Sequence, residues 1–184
     1  MDTRLFVIIM IIGLVMFLSL IFWVDWVFKC RKSAKDNNLK NYLSVFYVFG
    51  TDEYKNEITI VDGILGVNTT QLVFANRFKD DSIYMITEIP KICGFELTNY
   101  NENEFFEYIS KYSSGENEKV TYVVRSMAGA GTSKRMPKSL KTRNMCKVSL
   151  SDGLDCYFFY KDTPKNIECI KEMQKYIQAT NSVL

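Results

Sequence analysis

The chain contains no histidine. That absence closes Ser-His-Asp and Cys-His nucleophile pairs, histidine metal sites and histidine acid–base catalysis together. Cysteine is scattered: Cys30, Cys93, Cys146, Cys156 and Cys169 include no CxxC pair, the usual signature of zinc sites and thioredoxin-like exchange. An odd set of unpaired thiols suits a reducing compartment. A strong charge balance is also missing, since the formal net charge is +2, and nothing in it points to nucleic acid. Gly129-Ala130-Gly131-Thr132-Ser133-Lys134 lacks the G-x4-GK[ST] order of a phosphate loop, and Pro137 interrupts any helix behind it. Asp80, Asp81 and Glu88 fall in turns without a partner role. The expectation is a protein that is not an enzyme, with no catalytic residues, no cofactor and no metal.

What the sequence does have is one long uncharged run, Leu5 to Val24, LFVIIMIIGLVMFLSLIFWV. At about 1.5 Å per residue its twenty residues reach roughly 30 Å, the hydrocarbon thickness of a bilayer. The run is too long for the core of a cleaved signal, and Phe22-Trp23-Val24-Asp25-Trp26 is a poor cleavage site. Bulk and charge before Cys30 argue against a lipoprotein signal. An uncleaved single-pass anchor over residues 1–29 is expected, with Trp23 and Trp26 in the headgroup layer and Asp25 paired with Lys29 at i,i+4. Gly13 has no small residue four positions away, so no dimerisation face is evident.

Basic residues set the orientation. Arg4 stands before the span, whereas Lys29, Arg31, Lys32, Lys35 and Lys40 follow it. The positive-inside bias places everything C-terminal to the span in the cytoplasm. Residues 30–40 read as a basic, polar juxtamembrane tether, in which Cys30 is a candidate for S-acylation. Cys93, Cys156 and Cys169 read as buried small hydrophobes.

Residues 41–184 form one further domain, long enough for a real core. Tyr42 to Phe49, YLSVFYVF, is a strand or short helix that packs on this domain or lies at the membrane surface. ITIVDGILGV, QLVFANRF, SIYMIT and KICGFELT then read as short strands separated by the turns at 68–70 and 79–81, an antiparallel meander of the sandwich or barrel kind. Asn101 or Asn103 could cap a short helix carrying Phe105, Phe106 and Ile109. VTYVVR is a fifth strand, the glycine-rich basic stretch 126–144 a long mobile loop, and NMCKVSL and CYFFY the sixth and seventh strands. The chain closes with an amphipathic helix over 164–179, capped by Asp162 or Thr163 with Pro164 in its first turn and striped by Ile167, Ile170, Met173 and Ile177.

Seven short strands and a closing helix resemble the pleckstrin-homology-like superfold. GILGVNTTQLVFANRF…SIYMITEIPKICGFEL is similar to its GRAM and bacterial PH-like branch, in which a Thr-containing turn leads to an "LVF" strand and then to an Ile-centred strand, here Ile86, Ile89 and Ile92. CYFFYKDTPKNIECIKEMQKYI is similar to the last strand and capping helix of that family. The resemblance implies a mostly antiparallel barrel or sandwich closed by the C-terminal helix, a fold that serves lipid binding, peptide binding and scaffolding. It does not imply inositol-lipid recognition, because the hairpin from Gly63 to Phe74 carries no basic residue.

The candidate binding residues are Arg31, Lys32 and Lys35 beside the span and Arg125, Lys134, Arg135, Lys138, Lys141, Arg143 and Lys147 further on, in a stretch with no acid between Lys119 and Ser151. Each cation near an anionic leaflet contributes roughly 1 kcal/mol of attraction. The alternative is a solvated loop that neutralises Glu102, Glu104, Glu107, Glu116 and Glu118. The basic loop lacks interleaved aromatics, which speaks against nucleic acid. Together these features describe a membrane-anchored cytoplasmic binding or scaffold module. Its expected partners are anionic lipid headgroups or another protein, met through a strand edge or the aromatic run. The other reading is an accessory subunit whose span makes the specific contacts.

Overall fold

A computed structural model describes residues 3–50, 57–76, 84–98, 121–126, 129–133 and 135–182. The expected helix within 101–118, its acidic residues, the turn at 79–81 and Lys134 lie outside them.

The first helix, α1, runs unbroken over Thr3–Asp36. It is long and apolar enough to cross a membrane, and the apolar residues from Leu5 to Val24 are exposed. Asp25 and Lys29 form the expected ion pair at 2.7 Å. The segment expected as a polar tether is helical as far as Asp36, and Cys30 and Ala34 are buried within it.

Nine strands among the described residues build one curled sheet, a half-barrel, where the sequence suggested seven. They are β1 (Asn41–Gly50), β2 (Glu57–Val67), β3 (Gln71–Asn76), β4 (Tyr84–Glu88), β5 (Ile92–Thr98), β6 (Thr121–Ser126), β7 (Gly129–Ser133), β8 (Arg143–Leu150) and β9 (Asp155–Lys161). Their order is β4-β3-β2-β1-β9-β8-β5, antiparallel throughout. The β6–β7 hairpin is attached to the first half of β2, parallel to it, from Glu57↔Thr121 to Val61↔Arg125. A short turn, α2 (Lys138–Lys141), precedes β8, and α3 (Pro164–Asn181) ends the described chain.

The aromatic run at 42–49 is a strand, paired on one edge with β2 and on the other with β9. Its hydrophobicity has no period because both of its faces are covered. Leu43, Val45, Tyr47 and Phe49 point into an inner core with Phe74, Phe158 and α3's Ile170, Met173 and Ile177. Phe46 and Val48 point the other way, into an outer cluster with Ile58, Ile60, Met145, Tyr157 and Phe159. The inner core is aromatic at its centre, where Tyr47 stacks on Phe158 with ring centroids 4.9 Å apart.

α3 forms where expected, with Thr163 rather than Asp162 as its cap: the Thr163 hydroxyl accepts from the Asn166 amide at 3.3 Å. Its stripe closes the inner face, each fully buried aliphatic contributing about 1.5–3 kcal/mol. Gln174 and Asn181 donate to the carbonyls of Phe95 and Ile92, at 2.7 and 2.9 Å, so the helix covers part of the free edge of β5.

Candidate functional site

Three places on this framework could carry a function: the joint between α1 and the sheet, the cationic layer over the outer face, and a groove beside the end of α3.

At the joint, Trp26, Cys30, Ala34 and Leu39 meet Ile64 of β2 and Ala75 of β3. Positions 26, 30 and 34 are four apart and therefore share one helix face. Ile64 and Ala75 belong to the outer face, since their neighbours Leu65 and Phe74 point into the inner core. Small side chains at 30 and 34 let the helix approach the strands closely. The chain then turns through Asn38, which takes a positive φ of 52°, and Lys40 donates its amide to the Val67 carbonyl at 3.0 Å. Arg31, Lys32 and Lys35 are exposed, off the face that carries Cys30 and Ala34. Cys30 is therefore held inside the joint rather than presented at the membrane surface for acylation.

Over the outer face, the stretch expected as a long mobile loop holds β7 and α2, and it is fastened down. Met136 and Leu140 are buried in the outer cluster with Tyr122, and Val124 packs beside them. Met136 precedes the extended Pro137 and Leu140 lies within α2, and Arg135, Lys138 and Lys141 between and beside them are exposed. Arg125 is exposed near the end of β6. Arg143 and Lys147 are of a different kind because they stand on β8. The Arg143 guanidinium lies 4.6 Å from the centre of the Phe46 ring, and the Lys147 ammonium pairs with Asp155 of β9 at 3.2 Å. These two cations tie strands together, whereas Arg135, Lys138 and Lys141 are exposed beside the buried Met136 and Leu140, and Arg125, in register with the inner-core Val61, stands on the other face of β6 from Tyr122 and Val124. The hydrogen-bonded turn from the Ser133 hydroxyl to Arg135 fixes where that layer begins, at 2.7 and 3.1 Å.

The groove has a volume of about 830 Å³ and lies between the β2–β3 turn, the residues after β4 and the end of α3. Thr70, Gln71, Glu88, Pro90, Tyr176 and Thr180 are among its lining. Tyr176 donates its hydroxyl to the Thr69 carbonyl at 3.1 Å, and Lys40 stands 5.8 Å from the Tyr176 ring centre. Glu88 is paired with Lys91 at 3.1 Å. Sequence reasoning did not find this groove, because its walls are turn residues whose proximity depends on tertiary closure. It brings together hydroxyls, one amide and one ion-paired carboxylate.

The thiols divide by burial. Cys146 is fully enclosed and its ionisation is strongly suppressed by desolvation. Burial also pushes Cys156 and Cys169 up to about 11. Cys93, expected inside, is exposed on β5 with its sulfur 3.3 Å from the Ser149 carbonyl. Among the described residues no three His, Cys, Asp or Glu side chains gather closely enough to hold a metal ion.

The aromatic run is not an available partner surface, since β1 is an interior strand whose large side chains, Tyr42 apart, serve the two cores. No family model matches the chain, and no characterised protein matches it.

Proposed function

We propose that this is a single-pass membrane protein that holds a cytoplasmic, PH-like binding or scaffold module at the bilayer surface, with an anionic lipid surface or another membrane protein as its partner. The observation that carries this reading is the continuity of α1. One helix leads from the apolar run to a joint buried against β2 and β3. From Val24 to Cys30 the rise is roughly 9 Å, little more than a headgroup layer, so the module is held close to the lipid. The excess of cations after the span favours the cytoplasmic side. A curled, mostly antiparallel sheet closed on its inner face by the C-terminal helix supports the PH-like part of the reading.

Cys93 is a built-in reporter of the side on which the module lies, because it is the exposed cysteine while Cys30, Cys146 and Cys156 are buried. A membrane-impermeant maleimide applied to intact cells should leave Cys93 unlabelled and should label it once the cytoplasmic side is opened. Labelling of Cys93 in intact cells would refute the orientation.

A further inference from the structure

We propose that residues 135–141 are a platform for anionic lipid headgroups, fastened to the sheet by Met136 and Leu140 and presenting Arg135, Lys138 and Lys141 to the leaflet beside α1. The proposal rests on the anchored reading above and names lipid as the partner of this surface.

Four observations support it. First, the segment has a buried side and a solvent side across Met136, the extended Pro137 and the short turn α2. Met136 and Leu140 are 8% and 0% exposed, whereas Arg135, Lys138 and Lys141 are on the solvent side. Such a turn holds its cations at a fixed place without spending a mobile loop's entropy on each contact. Second, the platform is packed on the outer face of the sheet, the same face that receives the end of α1 at Ile64 and Ala75. Third, the segment's own charge is of one sign, since no acid occurs from Val120 to Leu150. Fourth, the described residues of the layer present no exposed large apolar side chain to a protein. Outside α1 the exposed large hydrophobic residues among those described are Tyr42, Ile86 and Leu154, none of them in this segment. The residues that dominate protein interfaces are Trp, Tyr and Arg packed into desolvated pockets, whereas residues 135–141 contain no aromatic and their cations are exposed. A lipid surface needs only its charge met at short range, within a Debye length of about 8 Å.

Because α1 already supplies membrane attachment, the platform would orient the module rather than recruit it. Each cation should shift the balance between headgroup-bound and free platform by about fivefold.

The test uses the full chain in lipid nanodiscs of phosphatidylcholine alone and of phosphatidylcholine mixed with phosphatidylserine, read by amide hydrogen exchange. The amides of 135–141 should exchange at least about fivefold more slowly in the anionic discs, and added salt should erase the difference. R135E/K138E/K141E should exchange equally fast in both. The milder K138Q/K141Q, with β1 and β9 amides unchanged as proof of folding, should fall between. Equal exchange of the native chain in both discs overturns the proposal, as does a difference that survives charge reversal. Protection found only in native membranes and in neither disc would assign the surface to a protein partner instead, and also overturns it. Both leaflets of such a disc have the same composition, so the outcome does not depend on which side of a cell membrane the module occupies. Failure of the orientation would show in Cys93 labelling, and failure of the platform here.

Discussion

Gly66 leaves room for Leu39. A methyl group built on Gly66 would lie 2.9 Å from Leu39 Cδ1, 2.9 Å from Tyr42 Cβ and 2.7 Å from the Asn41 carbonyl oxygen. The last of these is backbone and cannot swing aside. The segment that leaves α1 therefore passes over β2 at a distance only glycine allows, and the joint between helix and sheet depends on this crossing.

Substituting Gly66→Ala should cost about 1–3 kcal/mol, as overpacking against fixed backbone does. Urea denaturation of the full chain in detergent, followed by the fluorescence of Trp26 at the joint, measures it. An unchanged midpoint would mean that Leu39 and Asn41 do not lie where they are placed.

The platform makes a second prediction through its pegs. Leu140 is fully buried, so Leu140→Ala should lose about 2–5 kcal/mol, the range for an enclosed leucine. Lys138→Ala, two residues away and exposed, should stay within about 0.5 kcal/mol. Equal, small effects at both positions would indicate a solvated loop.

The buried thiols predict a one-sided dependence on pH. Burial raises Cys156 and Cys169 from the ordinary 9.0 to about 11 and raises Cys146 further. A group held protonated by the fold binds its proton more tightly folded than unfolded. The stability it contributes is complete below the unfolded value and is lost as pH rises through the folded one. Between pH 9 and about 11, therefore, the urea midpoint should fall, and Cys156→Ala should flatten that fall. A midpoint that rose over this interval would contradict the placement of these cysteines in the core.

Much of the architecture was legible in the residues. The apolar run from Leu5 to Val24 is a signal of composition and length, which no tertiary contact can disguise. The stripe at Ile167, Ile170, Met173 and Ile177 has the helical period because only one side of α3 is covered. β1 reads equally as strand or helix for the opposite reason: with Phe46 and Val48 facing one core and Val45 and Tyr47 the other, burial on both faces erases the alternation. β7 leaves no mark in the sequence because Gly129-Ala130-Gly131-Thr132-Ser133 has no pattern of side chains to read, its place being set by backbone pairing with β6. Within the candidate site, the cations were visible as a cluster. Which of them tie strands together, as Arg143 and Lys147 do, depends on Phe46 and Asp155 lying across the sheet. The joint did leave a trace in the sequence. Trp26, Cys30 and Ala34 recur every fourth residue, the last two among polar neighbours from Lys29 to Asp36, a stripe narrow enough to pass for a tether.

That joint is the central claim, because it makes the anchor and the module one body, and thiol reactivity in native membranes tests it most directly. Cys30 is 6% exposed inside the joint and Cys93 is exposed on β5. With both sides of the membrane open to a small maleimide, mass spectrometry should find Cys93 modified and Cys30 protected. Cys30 should become reactive when Ala75→Glu drives the helix off the strands. Modification of Cys30 in the unaltered chain as fast as Cys93 would contradict the account, because the module would then hang from a loose tether.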